Sequence, residues 1–323
     1  NSMNSYNKSY LDSIAKEKGF VRDNLEKVIR LAEVLRYLNQ NPLLHQTLAL
    51  KGGTAINLMV FQMPRLSVDI DLDFIENCSK EEMINKRQMI NQHIQTYMAK
   101  MGYVLKAGSK SPHSLDSWIF GYTNAGGNPD NIKIEINYSN RQHVLPIVEG
   151  NINIDFLDTL KCRILSPLEI FGSKINALIN RAAVRDIYDI YKMITSNLFT
   201  TTEENELLRK ILVFYITVGS ICKAEEVNLK HLSLHHIERL SFSQVRAQLL
   251  PVLNRNEKFE LSIAKEKVLQ FLKQFLQFSK EEQLFVEHFN QRIYSPEILF
   301  GKGEMAERVS SHPMALWKCR PKQ

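Results

Sequence analysis

The sequence has little of what disulfide-stapled, zinc-binding or membrane-embedded chains are built from. Its four cysteines, Cys78, Cys162, Cys222 and Cys319, are scattered without a CxxC pair. That argues against a structural zinc site and a disulfide scaffold, and fits a reducing cytoplasm. No apolar run approaches the ~20 residues that a membrane span needs, so no membrane partner is expected. The start, NSMNSYNKSYLDSIAKEKGF, is polar and charged, and is not expected to act as a secretory leader. His235 and His236 are adjacent and face different ways on a helix, which offers little for zinc chemistry. There is no serine in a nucleophile elbow, and no Walker A motif, because Gly52-Gly53-Thr54 lacks a following Gly-Lys-Ser.

What is present is an ordinary globular composition in 323 residues, 44% hydrophobic and 24% charged, enough for one large or two medium domains. The net charge of +6 suits an anionic partner, of which nucleic acid is the obvious class. Residues from about Tyr10 to Asn39 carry apolar positions near the 3.6 period and read as helical. TLALKGG reads as a short buried strand ending in a turn. Ile56, Met59, Val60 and Met63 then mark one face of a helix that Pro64 ends. LSVDIDLDFI alternates strictly, with Asp69, Asp71 and Asp73 on the face opposite Val68, Ile70 and Leu72. A helix over Lys80 to Met101 is followed by strand-like GYVLKAG, SWIFGYT and the isoleucine-rich IKIEINYS. These segments predict a mixed sheet with a polar-faced edge.

The second half changes character. SPLEIFGSKINALINR predicts a helix with Ser166 as N-cap and Glu169 closing a capping box, and a second box starts at Ser279. Helical patterning runs from there to an irregular basic tail, RVSSHPMALWKCRPKQ.

Three carboxylates on one strand face repel unless a cation stands among them. Residues two apart on a strand lie roughly 6–7 Å apart, so Asp69 and Asp71 can share one Mg²⁺ or bracket two. Glu135, a lone acid on the polar face of its strand, is placed to complete a phosphoryl-transfer centre. Gly52 and Gly53 follow a strand and open a helix, so their N–H groups can hold phosphate oxygens, with the Thr54 hydroxyl beside them. If the helix after Ser166 is continuous, Lys174, Arg181 and Arg185 lie within a stripe of about 40°. Asp186 and Asp189, one turn apart among Ile187, Tyr188, Ile190 and Tyr191, need partners such as Arg181, Arg185 or a nucleotide-bound metal.

The order Gly-Gly-Thr, spacer helix, then a strand bearing D-x-D resembles the signature of the DNA polymerase β-like nucleotidyltransferase superfamily. More narrowly, KGGTAINLMV, PRLSVDIDLDF and SPLEIFGSKINALINRAAVRDIYDIY resemble blocks of the AbiEii/AbiGii toxin family. The resemblance implies an α+β fold: an N-terminal nucleotidyltransferase-like mixed sheet with flanking helices over 1–163, then a C-terminal helical domain over 164–323. It implies that Gly52, Gly53 and Thr54 hold the triphosphate, that Asp69, Asp71 and Glu135 bind Mg²⁺ (or Mn²⁺), and that Lys174 contacts phosphate. Arg181 and Arg185 would join the nucleotide site, and Asp186 the later active-site block. Asp73 is left as a residue behind the metal pair, and Asp189 as either an active-site or a salt-bridge acid. The implied protein is a cytoplasmic toxin, with an NTP substrate, the 3′ end of tRNA or another RNA as acceptor, and a separate antitoxin. Two alternatives stay open: nucleotidylation of a protein or small-molecule hydroxyl, and an inactive nucleotide-binding module.

Overall fold

The computed structural model describes residues 6–322. Two compact units make up the chain. The first takes in the chain up to Arg141, Ile147–Leu165 and Leu250–Lys258; the second takes in Gln142–Pro146, Ser166–Leu249 and Phe259 onward. A single cut between the halves does not anticipate these exchanges of chain. Leu250–Lys258 belongs to the first unit, where the Leu66 amide donates to the Val252 carbonyl and the Asn254 amide to that of Pro64.

The first unit is built on seven strands: β1 Leu48–Lys51, β2 Asp69–Phe74, β3 Val104–Leu105, β4 Leu115–Thr123, β5 Pro129–Asn137, β6 Val148–Ile152 and β7 Leu160–Ile164. Their order is β3-β4-β5-β2-β1-β7-β6, with β2 parallel to β5, β1 parallel to β7, and the other pairs antiparallel. The D-x-D strand is therefore central rather than at an edge. β6 and β7, each only five residues long, extend the sheet past β1. Ile70, Ile132, Ile134 and Ile136 are fully buried, as the alternation requires.

Around the sheet lie α1 Lys8–Lys18, α2 Arg22–Gln40, α3 Pro42–Thr47, α4 Gly52–Ala55 and α5 Lys80–Lys100. The single helix read over Tyr10 to Asn39 is broken at Gly19, whose φ of 75° is the left-handed cap that returns its amide to the Ala15 carbonyl. The helix after Gly53 is also shorter than its pattern suggests. It widens into a π-turn over Ile56–Val60 and ends there, four residues before Pro64. The buried Asn57 side chain donates to the Gly53 carbonyl, and Gln62 and Met63 turn left-handed at φ 56° and 63°.

The second unit is helical: α6 Pro167–Arg181, α7 Val184–Thr195, α8 Thr202–Val218, then Leu261–Phe275, Lys280–Asn290 and shorter pieces. The box at Ser279 forms, its hydroxyl accepting from the Glu282 amide. The one at Ser166 does not, because Glu169 is needed elsewhere. Its buried carboxylate accepts from the amides of Val144 at 2.9 Å and Leu145 at 2.8 Å, and from the Tyr215 hydroxyl at 2.5 Å. Nor is the C-terminus irregular. Glu304–Arg308 and Pro313–Lys318 are helical, and buried Lys318 donates to the Thr217 and Ser220 carbonyls at the end of α8. Burial holds the Lys318 pKa below the usual lysine range. Among the described residues no helix is long and apolar enough to cross a membrane.

Glu169→Ala strands two backbone donors and a tyrosine hydroxyl. It is expected to lower unfolding stability by about 2–4 kcal/mol, read as a reduced urea midpoint; an unchanged midpoint contradicts this role.

Candidate active site

The acidic face is set by strand register. In the parallel pair, Asp69 lies opposite Lys133, Asp71 opposite Glu135, and Asp73 opposite Asn137. Across the antiparallel pair Lys51 lies opposite Asp71, and Ser117 of β4 lies opposite Glu135. Directly paired residues project from the same side of a sheet, so four carboxylates and two lysines share one surface. Asp69, Asp71 and Glu135 are half-buried, whereas Asp73 is 2% exposed.

Lysines and acids interleave on that surface. Lys51 Nζ lies 2.5 Å from Asp73 Oδ1, and Lys133 Nζ lies 2.7 Å from Glu135 Oε1. Ser117 Oγ donates to the same Glu135 oxygen at 3.3 Å. Burial alone would lower the Lys51 pKa, but Asp73 beside it, with Asp71 and Glu135, holds it above the ordinary value. The hydrogen bond to Glu135 does the same for Lys133.

The glycine turn fits tightly against this surface. Gly52 has φ 73°, and a Cβ there would lie 2.9 Å from Asp71 Oδ2, so conformation and space both demand glycine. A Cβ on Gly53 would lie 2.7 Å from Nη2 of buried Arg65. Thr54 is 1% exposed. Its hydroxyl bonds Ser67 Oγ at 2.7 Å and donates to the Asp69 carbonyl, so it ties the turn to β2 instead of facing out toward a phosphate.

The expected metal is tested by the chemistry of these donors. A hard divalent cation takes carboxylate oxygens, and Asp69, Asp71 and Glu135 offer them side by side on neighbouring strands. Among the described residues no three His, Cys, Asp or Glu side chains gather around one point, because Glu135 and Asp73 lean onto lysines. The donor type and the strand register suit the ion, while the side chains themselves do not converge on one point.

In the second unit, Lys174, Arg181 and Asp186 come together, and Asp189 joins them. Lys174 Nζ lies 3.1 Å from Asp186 Oδ1 and 2.8 Å from Asp189 Oδ2, and Arg181 Nε lies 3.0 Å from Asp186 Oδ2. Both aspartates are buried. The three cations do not share one helix: α6 ends at Arg181, capped by Ala182 with φ 48°, and Arg185 lies in the first turn of α7 with its Nε on the Gln248 carbonyl at 2.8 Å. Lys174 is thus one partner of Asp189, which the tyrosine-rich surroundings did not single out.

Lys51, Ser67, Lys133 and Ser117 also belong to this picture. Lys133 was legible as a cation on the face of its strand that bears Glu135, whereas the strand of Lys51 has no acid and only its pairing brings Lys51 to Asp71. Ser67 falls within the PRLSVDIDLDF block and meets Thr54, whereas Ser117 carries no sequence signal, since only the pairing brings it to Glu135.

A sequence model described as Nucleotidyl transferase AbiEii toxin, Type IV TA system, matches residues 34–287. The chain belongs to the AbiEii nucleotidyltransferase toxin family. Its fold is similar to that of MenT4, a nucleotidyltransferase toxin from Mycobacterium tuberculosis H37Rv, with a TM-score of 0.62 and 16% identity over 90% of this chain and 100% of that one. No curated protein matches the sequence. Family membership makes this AbiEii-type chain a nucleotidyltransferase of a toxin–antitoxin system.

Gly52→Ala forces a left-handed alanine against the Asp71 carboxylate. Nucleotidyl transfer is expected to fall at least about tenfold, with stability lowered by roughly 1–3 kcal/mol. Retention of full activity would show that the close approach is dispensable.

Proposed function

We propose that this nucleotidyltransferase moves a nucleoside monophosphate from an NTP to an acceptor hydroxyl, with Mg²⁺ or Mn²⁺ as cofactor and the 3′ end of tRNA as acceptor. The observation that carries this reading is the register that sets Asp71 beside Glu135 with Gly52 packed against it. Asp69, Asp71 and Glu135 would hold the divalent ion, which supplies charge neutralisation at the phosphates when bound. Gly52 and Gly53 seat the triphosphate through their backbone amides, and Thr54 fixes that turn to the strand carrying Asp69. The acceptor oxygen bonds to the α-phosphorus, the bond from that phosphorus to the β-phosphate bridge breaks, and pyrophosphate leaves. Glu135 takes the acceptor's proton.

Lys174 is assigned a phosphate contact and Arg181 and Arg185 the flanking positive charge. Asp186 and Asp189 orient the Lys174 ammonium. The first unit would thus carry the carboxylates and the glycine turn, and the helical unit the Lys174 and Asp186 cluster. The net charge of +6 supports an RNA acceptor. Family membership implies a cognate antitoxin, proposed to be a separate protein, and a cytoplasmic setting is proposed for both.

Incubation with labelled NTPs, Mg²⁺ and total RNA tests the assignment. Asp69→Asn and Asp71→Asn are each expected to lower transfer by about a thousandfold or more with folding intact, and Lys174→Met by on the order of a hundredfold, together with a loss of stability because buried Asp186 and Asp189 lose this cation. Transfer by Asp71→Asn at the native rate would sink the assignment. Label on a protein in the absence of RNA would replace tRNA as the acceptor.

A further inference from the structure

The pairing of Lys51 is the least expected feature of the acidic face. Its direct cross-strand neighbour is Asp71, yet its ammonium lies 2.5 Å from the diagonal acid, Asp73. Diagonal reach is ordinary for a long side chain. What distinguishes Asp73 is depth: it is 2% exposed, whereas Asp69 and Asp71 are half-buried. A carboxylate so deep needs a counter-charge at all times, whatever occupies the open end of the row. Lys51 meets that need from the residue immediately before Gly52, while still within the field of Asp71 and Glu135.

We infer that Lys51, anchored by Asp73, is a built-in cation of the acidic face that weakens divalent-metal binding there, and that Asp73 is its anchor rather than a metal ligand. The inference rests on the reading of this face as a metal and nucleotide site. It gives the third aspartate a task distinct from its neighbours: Asp69 and Asp71 serve the exchangeable ion, and Asp73 serves the fixed one. Lys133 acts on Glu135 in a similar way from β5, but at 43% exposure it is free to swing into solvent, whereas Lys51 is held.

The test is titration of the full chain with Mn²⁺ alone, followed by electron paramagnetic resonance or calorimetry, without nucleotide. Lys51→Met is expected to bind Mn²⁺ about tenfold tighter than the native protein, and Asp73→Asn about tenfold weaker. The double variant removes one charge of each sign and is expected to return to within about threefold of native. Lys51→Arg keeps the charge and should stay at native affinity. Should Lys51→Met fail to fold, the double variant against Asp73→Asn carries the same comparison, since the two differ only at position 51. Unchanged or weaker binding on loss of the lysine overturns the inference, and so does a double variant as weak as Asp73→Asn, which would make Asp73 a ligand. Binding in the native protein that Asp71→Asn does not disturb, or no binding at all, overturns the metal-site reading itself.

Discussion

The parallel pairing of the strand Asp69–Phe74 with the strand Pro129–Asn137 is the constraint on which the rest depends. Side chains alternate with a period of two, so a slip of one residue in either strand would turn that strand's acids toward the core and its isoleucines out of it. The isoleucines are fully buried, and their burial therefore fixes where the acids stand. Like charges on adjacent strands oppose this pairing, and the hydrophobic face outweighs them while Lys51 and Lys133 relieve part of the repulsion.

The glycine turn adds a second, shorter-range constraint. Gly52 must be left-handed and must lack a side chain, because Asp71 occupies the space a Cβ would take. Thr54 and Ser67 then lock the turn to the strand that bears Asp69. The proposed phosphate seat and the proposed metal seat are thereby joined in one piece, in keeping with how precisely reacting groups must be held. The second unit uses another solution, a buried network in which Lys174 and Arg181 meet Asp186, and Lys174 also meets Asp189. Removing one member of such a network leaves a buried charge without its partner, which makes its geometry durable.

Where patterning was strong the sequence was readable. Strict alternation announced the two central strands, and the order Gly-Gly-Thr, helix, D-x-D announced the family to which the chain belongs. Residues whose placement depends on distant pairing were not readable. β6 and β7 are only five residues each, too short for the alternation of LKCRI to stand out, and they were not read as strands. The Ser166 box failed because Glu169 found three better donors, two of them backbone amides. Local rules describe a segment in isolation, and a buried carboxylate answers to whichever donors tertiary packing brings. The positions of Gly19 and Ala182, where helices break, were likewise decided by left-handed backbone that periodicity does not report.

The central claim is that the carboxylate face directs attack at the α-phosphorus of a nucleoside triphosphate. It is tested most directly by following the fate of the phosphates, with parallel reactions containing RNA and an NTP labelled at either the α- or the γ-phosphorus. Attack at the α-phosphorus attaches α-label to RNA and releases γ-label as pyrophosphate. Attachment of the γ-label, or release of γ-label as orthophosphate without transfer of the α-label, would contradict it.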